Sequence, residues 1–177
     1  MEISKVKTAI KFGDFVLKKN HKNKIDIKYL SNISKKDLTD DSPRVYIFVI
    51  DRIIKKIGGS ADKGGIKATI GFYTSSMTGS PGRPRFIVHL LIERALKSGS
   101  KAELYVITAP KVLAIIKGLF GSKKVKIASY KEMENYCESD YYSIEKKYPD
   151  WNFQENHEPY PKDLDKKFNR YHENRLR

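Results

Sequence analysis

Three polar side chains, Tyr46, Lys56 and Glu134, stand in stretches of sequence that otherwise predict buried surface. Tyr46 lies within the apolar run of residues 44–50, and Lys56 follows ten residues later, beyond a polar turn at residues 51–52. This pattern predicts a β-hairpin. A phenol and an ammonium held at one end of a hairpin can share a proton network, because a nearby cation favours the phenolate. The hairpin is therefore predicted to be a site as well as a scaffold.

Glu134 is predicted to face inward from a helix over residues 130–146. Tyr130, Glu134, Cys137 and Tyr141 are spaced by four, three and four residues, so they share one helical stripe. A buried carboxylate must be paired, protonated or bound to a cation. The alternatives are a salt bridge to one of the many lysines and coordination of a hard divalent ion such as Mg²⁺. Glu132, on another face, is the fallback carboxylate.

The composition favours a polyanionic partner. Lys and Arg number 35 against 21 Asp and Glu, which gives a formal charge of +14. Such an excess is typical of nucleic-acid-binding proteins, although a lysine-rich solvated surface gives the same count. The single Cys137 excludes a disulfide framework and a multi-cysteine zinc site. Without an apolar leader or a span of membrane length, the expected location is the cytoplasm, with no membrane partner.

The elements that would position these side chains follow from the apolar periodicity. On the first strand of the hairpin, both faces are apolar: Tyr46, Phe48 and Ile50 lie on one, and Val45, Ile47 and Val49 on the other. Helices are predicted over residues 66–73, 85–97, 110–120 and 130–146, a loop over 74–84, and a third strand over 101–108. Residues 15–17 and 125–128 are each predicted to form a short strand or turn. The fold class is α/β (α+β), with a small, mainly antiparallel three-stranded sheet flanked by helices.

The two ends of the chain are predicted to lie outside this unit. Residues 1–42 carry ten lysines and predict a basic N-terminal arm or small subdomain, with a short helix over residues 3–10. Residues 43–160 form the central domain. Residues 161–177 form a basic tail that can fold as a terminal helix.

In order and spacing, the central segments resemble the GIY-YIG nucleases. Arg44-Val45-Tyr46 matches the first motif with Arg for the leading Gly, and Lys56-Ile57-Gly58 matches the second with Lys for the leading Tyr. The latter is similar to a variant among type II restriction enzymes of this class. Glu134-Asn135-Tyr136-Cys137 resembles the helix that carries the metal-binding Glu. The segment 148–152 resembles the closing Pro-aromatic-Asn segment, with Asn152 as its Asn.

The resemblance implies a set of roles. Tyr46 would be the general base with Lys56 as its cationic neighbour, and Glu134 would bind Mg²⁺, with Mn²⁺ as the alternative ion. Tyr73 would position a phosphate or water. The phosphate-binding cation is left open between two alignments. Thr69 stands four residues before Tyr73, where the class has Arg, so Lys67 would substitute; alternatively the pair is Arg85 and His89.

These roles predict metal-dependent hydrolysis of double-stranded DNA by a type II restriction endonuclease. Arg83 and Arg85 are candidates for contacts to guanine, and His89 and Asn152 complete the predicted DNA-contacting set. A palindromic site would imply a homodimer. The alternatives are a homing or repair nuclease, a non-catalytic nucleic-acid-binding module without the Arg, and a ribosome-associated RNA-binding protein.

Overall fold

A computed structural model describes residues 1–176. Its strands are β1 (Ile10–Leu17), β2 (Ile25–Tyr29), β3 (Arg44–Ile50), β4 (Ile53–Ser60), β5 (Ala102–Thr108), β6 (Val112–Gly118) and β7 (Gly121–Ile127). Its α-helices are α1 (Lys35–Thr39), α2 (Gly65–Thr74), α3 (Arg83–Lys97), α4 (Tyr130–Glu145) and α5 (Lys162–Leu176), preceded by a 3-10 turn at Ile3–Lys5. Among residues 1–176, no helix has both the length and the apolar character needed to cross a membrane.

The centre of the molecule is a five-stranded antiparallel sheet in the order β2-β1-β5-β3-β4. Every residue of β3 is buried. Tyr46, Phe48 and Ile50 pack against α2 and α3 on one side, and Val45, Ile47 and Val49 pack towards α4 on the other. The predicted hairpin, its two apolar faces and the mainly antiparallel sheet with flanking helices are therefore confirmed.

The predicted strand number and the N-terminal arm need correction. Residues 1–42 supply β1 and β2, and β1 pairs with β5. The strand signal was weak because Lys11 and Asp14 stand next to the buried Phe12 and Phe15, and because a register shift between Lys11 and Gly13 breaks the period of two. The predicted helix over residues 3–10 contains only the short turn, since Ile10 already begins β1.

The predicted helix over residues 110–120 is wrong, because this segment forms β6 and the turn of a β6–β7 hairpin. Its apolar residues include Val112, Ile115 and Ile116, whose branched side chains favour strands over helices. The other predicted helices and the strand over residues 101–108 are confirmed to within a few residues. The C-terminal segment forms α5, which packs on α3 through Leu164 and through the Phe86 and Phe168 rings, whose centroids are 5.4 Å apart.

Gly58 determines how the β3–β4 hairpin accommodates Tyr46. The two residues are paired across the strands, and a Cβ added at Gly58 would lie 2.4 Å from Cζ and Oη of Tyr46. Since carbon atoms do not approach so closely, only glycine leaves room for the phenol ring. The same register places Lys56 opposite Phe48, two pairs further along.

We predict that Gly58→Ala lowers the free energy of unfolding by roughly 1–3 kcal/mol, the usual cost of overpacking. Gly71→Ala is the matched control, because a Cβ there meets no atom within 4 Å. It should leave stability unchanged or raise it by up to ~1 kcal/mol, since alanine favours helix. Denaturant unfolding measures both, and equal effects of the two substitutions would contradict the steric argument.

Candidate active site

A polar cleft of about 320 Å³ opens at the end of the β3–β4 hairpin. Its walls come from residues 59–62, at and just after the end of β4, from α2, and from the first turns of α3 and α4. The side chains that line it include Tyr46, Thr69, Phe72, Tyr73, Arg85 and Tyr130. Residues far apart in the sequence thus meet in one place because the hairpin and three helices end there.

A pair of tyrosine hydroxyls lies at the base of the cleft. The Oη atoms of Tyr46 and Tyr73 are 2.8 Å apart, and both side chains are buried. Burial raises the pKa of Tyr46 well above its ordinary value, the Tyr73 hydroxyl and the charge of Glu134 raise this pKa further, and Arg85 partly offsets them. Tyr46 is therefore a neutral phenol at physiological pH.

Lys56 does not take the predicted place beside Tyr46. Its partner across the hairpin is Phe48, and the hydroxyl of Tyr46 is bonded to Tyr73 instead. The pKa of Tyr46 is raised rather than lowered, because desolvation of the buried phenol is the largest cause of its shift. Lys56 acts electrostatically on Glu138, whose pKa it lowers.

Glu134 faces inward, with both oxygens engaged. Its Oε1 accepts a hydrogen bond from the Gly59 amide at 2.7 Å, and its Oε2 lies 2.9 Å from Nζ of Lys131. The salt bridge foreseen as one alternative is thus present, on the largely exposed Lys131. A Cβ added at Gly59 would lie 3.0 Å from Cβ of Glu134, so glycine lets α4 approach β4 closely.

The donor set around Glu134 fits a sparsely ligated ion. Within residues 1–176, no group of three or more His, Cys, Asp and Glu side chains could hold a metal. Mg²⁺ typically binds one or two carboxylates and keeps water and substrate phosphates as its other ligands. A single carboxylate beside a polar cleft meets that requirement.

The structure combines one residue from each of the two alignments for the phosphate-binding cation. Arg85 lines the cleft with Tyr73, and its guanidinium carbon lies 4.8 Å from the centre of the Phe72 ring. Lys67 is exposed on α2 outside the lining. Thr69 faces the cleft, and its Oγ1 lies 2.8 Å from Oγ of Ser60. Arg85 is therefore the cation that the fold brings to the tyrosine pair.

Three residues of the predicted DNA-contacting set lie elsewhere. His89 has no exposed surface; its Nδ1 is 2.8 Å from the Tyr73 carbonyl oxygen, and its Nε2 accepts from the Lys24 amide. Arg83 is exposed but bound to α5 through Asp165 and Asn169. Asn152 is only 1% exposed and forms hydrogen bonds with Ile57 and Glu138. Burial leaves His89 and Asn152 no surface for a direct DNA contact.

Asn152 closes the outer edge of β4. Its Oδ1 accepts from the Ile57 amide at 2.9 Å, and its Nδ2 donates to the Ile57 carbonyl at 3.0 Å and to Oε1 of Glu138 at 2.7 Å. Sequence reasoning missed Glu138, although it lies one helical turn after Glu134. Burial raises the pKa of Glu138 to about 7, with contributions from the charges of Glu155 and Glu134.

Arg44 also has a role that the motif comparison did not indicate. Its guanidinium is 2% exposed and donates to the backbone carbonyls of Asp40, Ser42 and Asp62. Asp62 lines the cleft. Arg44 therefore ties the start of β3 to one wall of the site.

Comparisons with known proteins establish the fold. Neither protein-family models nor curated protein sequences give a match. A solved structure of a Glu-to-Ala mutant of bacteriophage T4 EndoII is similar with a TM-score of 0.55 and 20% identity, over 86% of this chain and 98% of that one. The restriction endonuclease HPY188I in complex with product DNA is similar with a TM-score of 0.51 and 16% identity, over 84% of each chain. The chain shares the fold of these nucleases.

The raised pKa of Glu138 predicts how stability depends on pH. The unfolded carboxyl ionises near its ordinary pKa of 4.5 and the folded one near 7. Between these values the unfolded state releases a proton that the folded state retains, so stability falls as pH rises. We expect the free energy of unfolding to fall by roughly 1–3 kcal/mol more for the wild type than for Glu138→Gln between pH 5 and pH 8.

Urea unfolding at the two pH values measures this difference. Glu158→Gln, which changes an exposed glutamate, is the control and should follow the wild type. Parallel pH dependences of the wild type and Glu138→Gln would contradict the assignment.

Proposed function

We propose that the chain is a metal-dependent endonuclease of the GIY-YIG type that hydrolyses double-stranded DNA at a short specific site, as type II restriction enzymes do. The observation that carries the proposal is the buried Tyr46–Tyr73 hydroxyl pair in a cleft that also holds Arg85, with Glu134 behind Gly59. The fold shared with HPY188I, a restriction endonuclease seen with product DNA, supports it.

The tyrosine pair acts as a proton relay. Because burial disfavours the Tyr46 phenolate, a stable phenolate is a poor description of the base. Tyr46 Oη instead accepts a proton from the attacking water while it passes its own proton to Tyr73 Oη, 2.8 Å away. Tyr73 releases its proton to water in the cleft. Both phenols end neutral. The new hydroxide attacks phosphorus, the bond from phosphorus to the 3′ oxygen breaks, and that oxygen takes up the proton that Tyr73 released to water, which leaves a 5′-phosphate and a 3′-hydroxyl.

Charge at the phosphate is balanced by Arg85 and by an ion at Glu134. The Arg85 guanidinium can donate two parallel hydrogen bonds to phosphate oxygens. Glu134 would hold Mg²⁺, which supplies Lewis-acid stabilisation of the phosphate and the leaving oxygen when bound. The competing Lys131 contact is a surface pair on one helix, which costs little to break.

We predict that Tyr46→Phe and Glu134→Gln each reduce cleavage at least ~10²-fold while DNA binding persists, since loss of a general base or of charge stabilisation costs about this much. Glu134→Gln retains an oxygen for the Gly59 amide. The matched controls are Tyr136→Phe and Glu132→Gln, both exposed on α4. The measurement is incubation with long unmethylated duplex DNA, with Mg²⁺ or with EDTA, followed by electrophoresis.

Discrete fragments that require Mg²⁺ would support a specific endonuclease, and their ends would map the site. A smear would favour a non-specific or repair-type nuclease. Intact DNA with shifted mobility would favour the binding module and contradict the roles of Tyr46 and Glu134. If the site is palindromic, the protein should bind it as a homodimer, and a monomeric mass on cognate DNA would contradict that expectation.

The relay makes a separate prediction for Tyr73→Phe. This substitution keeps the ring, whose centroid lies 5.0 Å from that of Phe48, and removes only the hydroxyl. It should also lower the pKa of Tyr46, because the Tyr73 hydroxyl raises it. The relay predicts a rate at neutral pH reduced by ~10²-fold, whereas a phenolate base predicts a faster reaction with its pH–rate profile moved to lower pH. Single-turnover rates across pH distinguish the two.

A further inference from the structure

The β6–β7 hairpin is a two-stranded ribbon between β5 and α4 that carries unusual surface. Leu119 and Phe120, at its turn, are 94% and 101% exposed. Large apolar side chains with such exposure commonly mark a contact with another molecule. The fold itself gives no reason for them, because the strands pair only with each other.

The charge of the hairpin is of one sign. Residues 109–129 contain five lysines and no Asp or Glu. The strand register places Lys117, Lys124 and Lys126 on the same face, since Lys117 pairs with Ser122, Ile115 with Lys124 and Leu113 with Lys126. Among the described residues, these three form no ion pair. Such a face complements a polyanion and would repel a second copy of itself.

The base of the hairpin adjoins the cleft. Thr108, which ends β5, pairs with Arg44, and Arg44 pairs with Ser60 of the cleft wall. On the other side, Tyr130 begins α4 and also lines the cleft. A seven-residue strand spans about 23 Å. DNA at the cleft therefore lies within reach of the ribbon.

We propose that the β6–β7 hairpin is a DNA-binding ribbon, with its lysine face against phosphates and its Leu119–Phe120 turn inserted between base pairs. A two-stranded ribbon fits a DNA groove, and apolar side chains that enter the base stack bend or unstack the duplex. The inference extends the proposed function by naming the surface that holds the substrate beside the cleft.

The test is binding of duplex DNA in EDTA, where no metal-dependent cleavage occurs, followed by fluorescence anisotropy. The variant Lys117→Gln/Lys124→Gln/Lys126→Gln should bind at least ~10-fold more weakly and reduce the slope of log K against log salt by about 2–3, one phosphate per lysine. Its matched control, Lys162→Gln/Lys166→Gln/Lys167→Gln on exposed positions of α5, should retain the slope. An unchanged slope in the hairpin variant would overturn the proposal.

Base insertion has its own readout. In short duplexes where 2-aminopurine replaces each adenine in turn, its emission should rise at the insertion step with the wild type, and this rise should be lost with Leu119→Ser/Phe120→Ser. The control Tyr136→Ser removes another exposed aromatic, 70% accessible on α4, and should retain the signal. No rise at any position would overturn insertion.

Two further outcomes separate this inference from its rivals. If the wild type dimerises without DNA and Leu119→Ser/Phe120→Ser dissociates that dimer in light scattering, the hairpin binds a second copy and the proposal is overturned. If hairpin-dependent binding is found but DNA is never cleaved with Mg²⁺, this inference holds and the proposed endonuclease fails. If both hairpin variants cleave DNA at the wild-type rate and bind it with the wild-type affinity, the proposed endonuclease holds and this inference fails.

Discussion

Strand β4 lies at the edge of the sheet, so its outward backbone groups need partners that the sheet does not supply. Gly59 donates to Glu134, Ile57 exchanges two hydrogen bonds with Asn152, and the Lys55 carbonyl accepts from the amide of Trp151. These bonds hold α4 and the segment after it against the hairpin. Glu134 is beside the cleft because the same carboxylate completes the edge of β4.

The opposite face of the hairpin is fixed by packing. Gly58 provides the space in which the Tyr46 ring lies, and the ring directs its hydroxyl to Tyr73 on α2. His89, beneath them on α3, bonds the Tyr73 carbonyl oxygen and holds that residue in place. The site therefore depends on two glycines: Gly58 leaves room for the Tyr46 ring, and Gly59 lets α4 approach β4. It also depends on the hydrogen bond between the two buried tyrosines, which their low-dielectric surroundings strengthen.

The sequence predicted those helices and strands whose buried residues give a clear apolar periodicity. The hairpin and helices α2 and α3 bury several apolar residues each, and α4 packs through Tyr141, Met133 and Cys137, so periodicity located them. Strands β1 and β2 contain few buried residues among polar ones, and β6 and β7 bury none, so only a short strand or turn was predicted in β1 and in β7. The resemblance predicted Tyr46, Tyr73 and, as one of two alternatives, Arg85, which line one cleft, and Glu134, which bonds Gly59 of its wall. It could not place Lys56, His89 or Asn152, because strand register and burial decide what those side chains meet. Glu138 could not be singled out from the sequence, because its hydrogen bond from Asn152 depends on how the segment after α4 folds back against that helix.

The structural bond of Glu134 does not conflict with a role in binding an ion. An ionised carboxylate has two oxygens and about four positions at which it accepts hydrogen bonds or a cation. The Gly59 amide and Lys131 occupy one on each oxygen, which leaves the others available. The amide is fixed by the sheet and holds the carboxylate in one orientation, so an ion would meet a ligand already in position. The hydrogen bond from Gly59 to Glu134 thus satisfies a backbone amide at the sheet edge and fixes the orientation of the carboxylate.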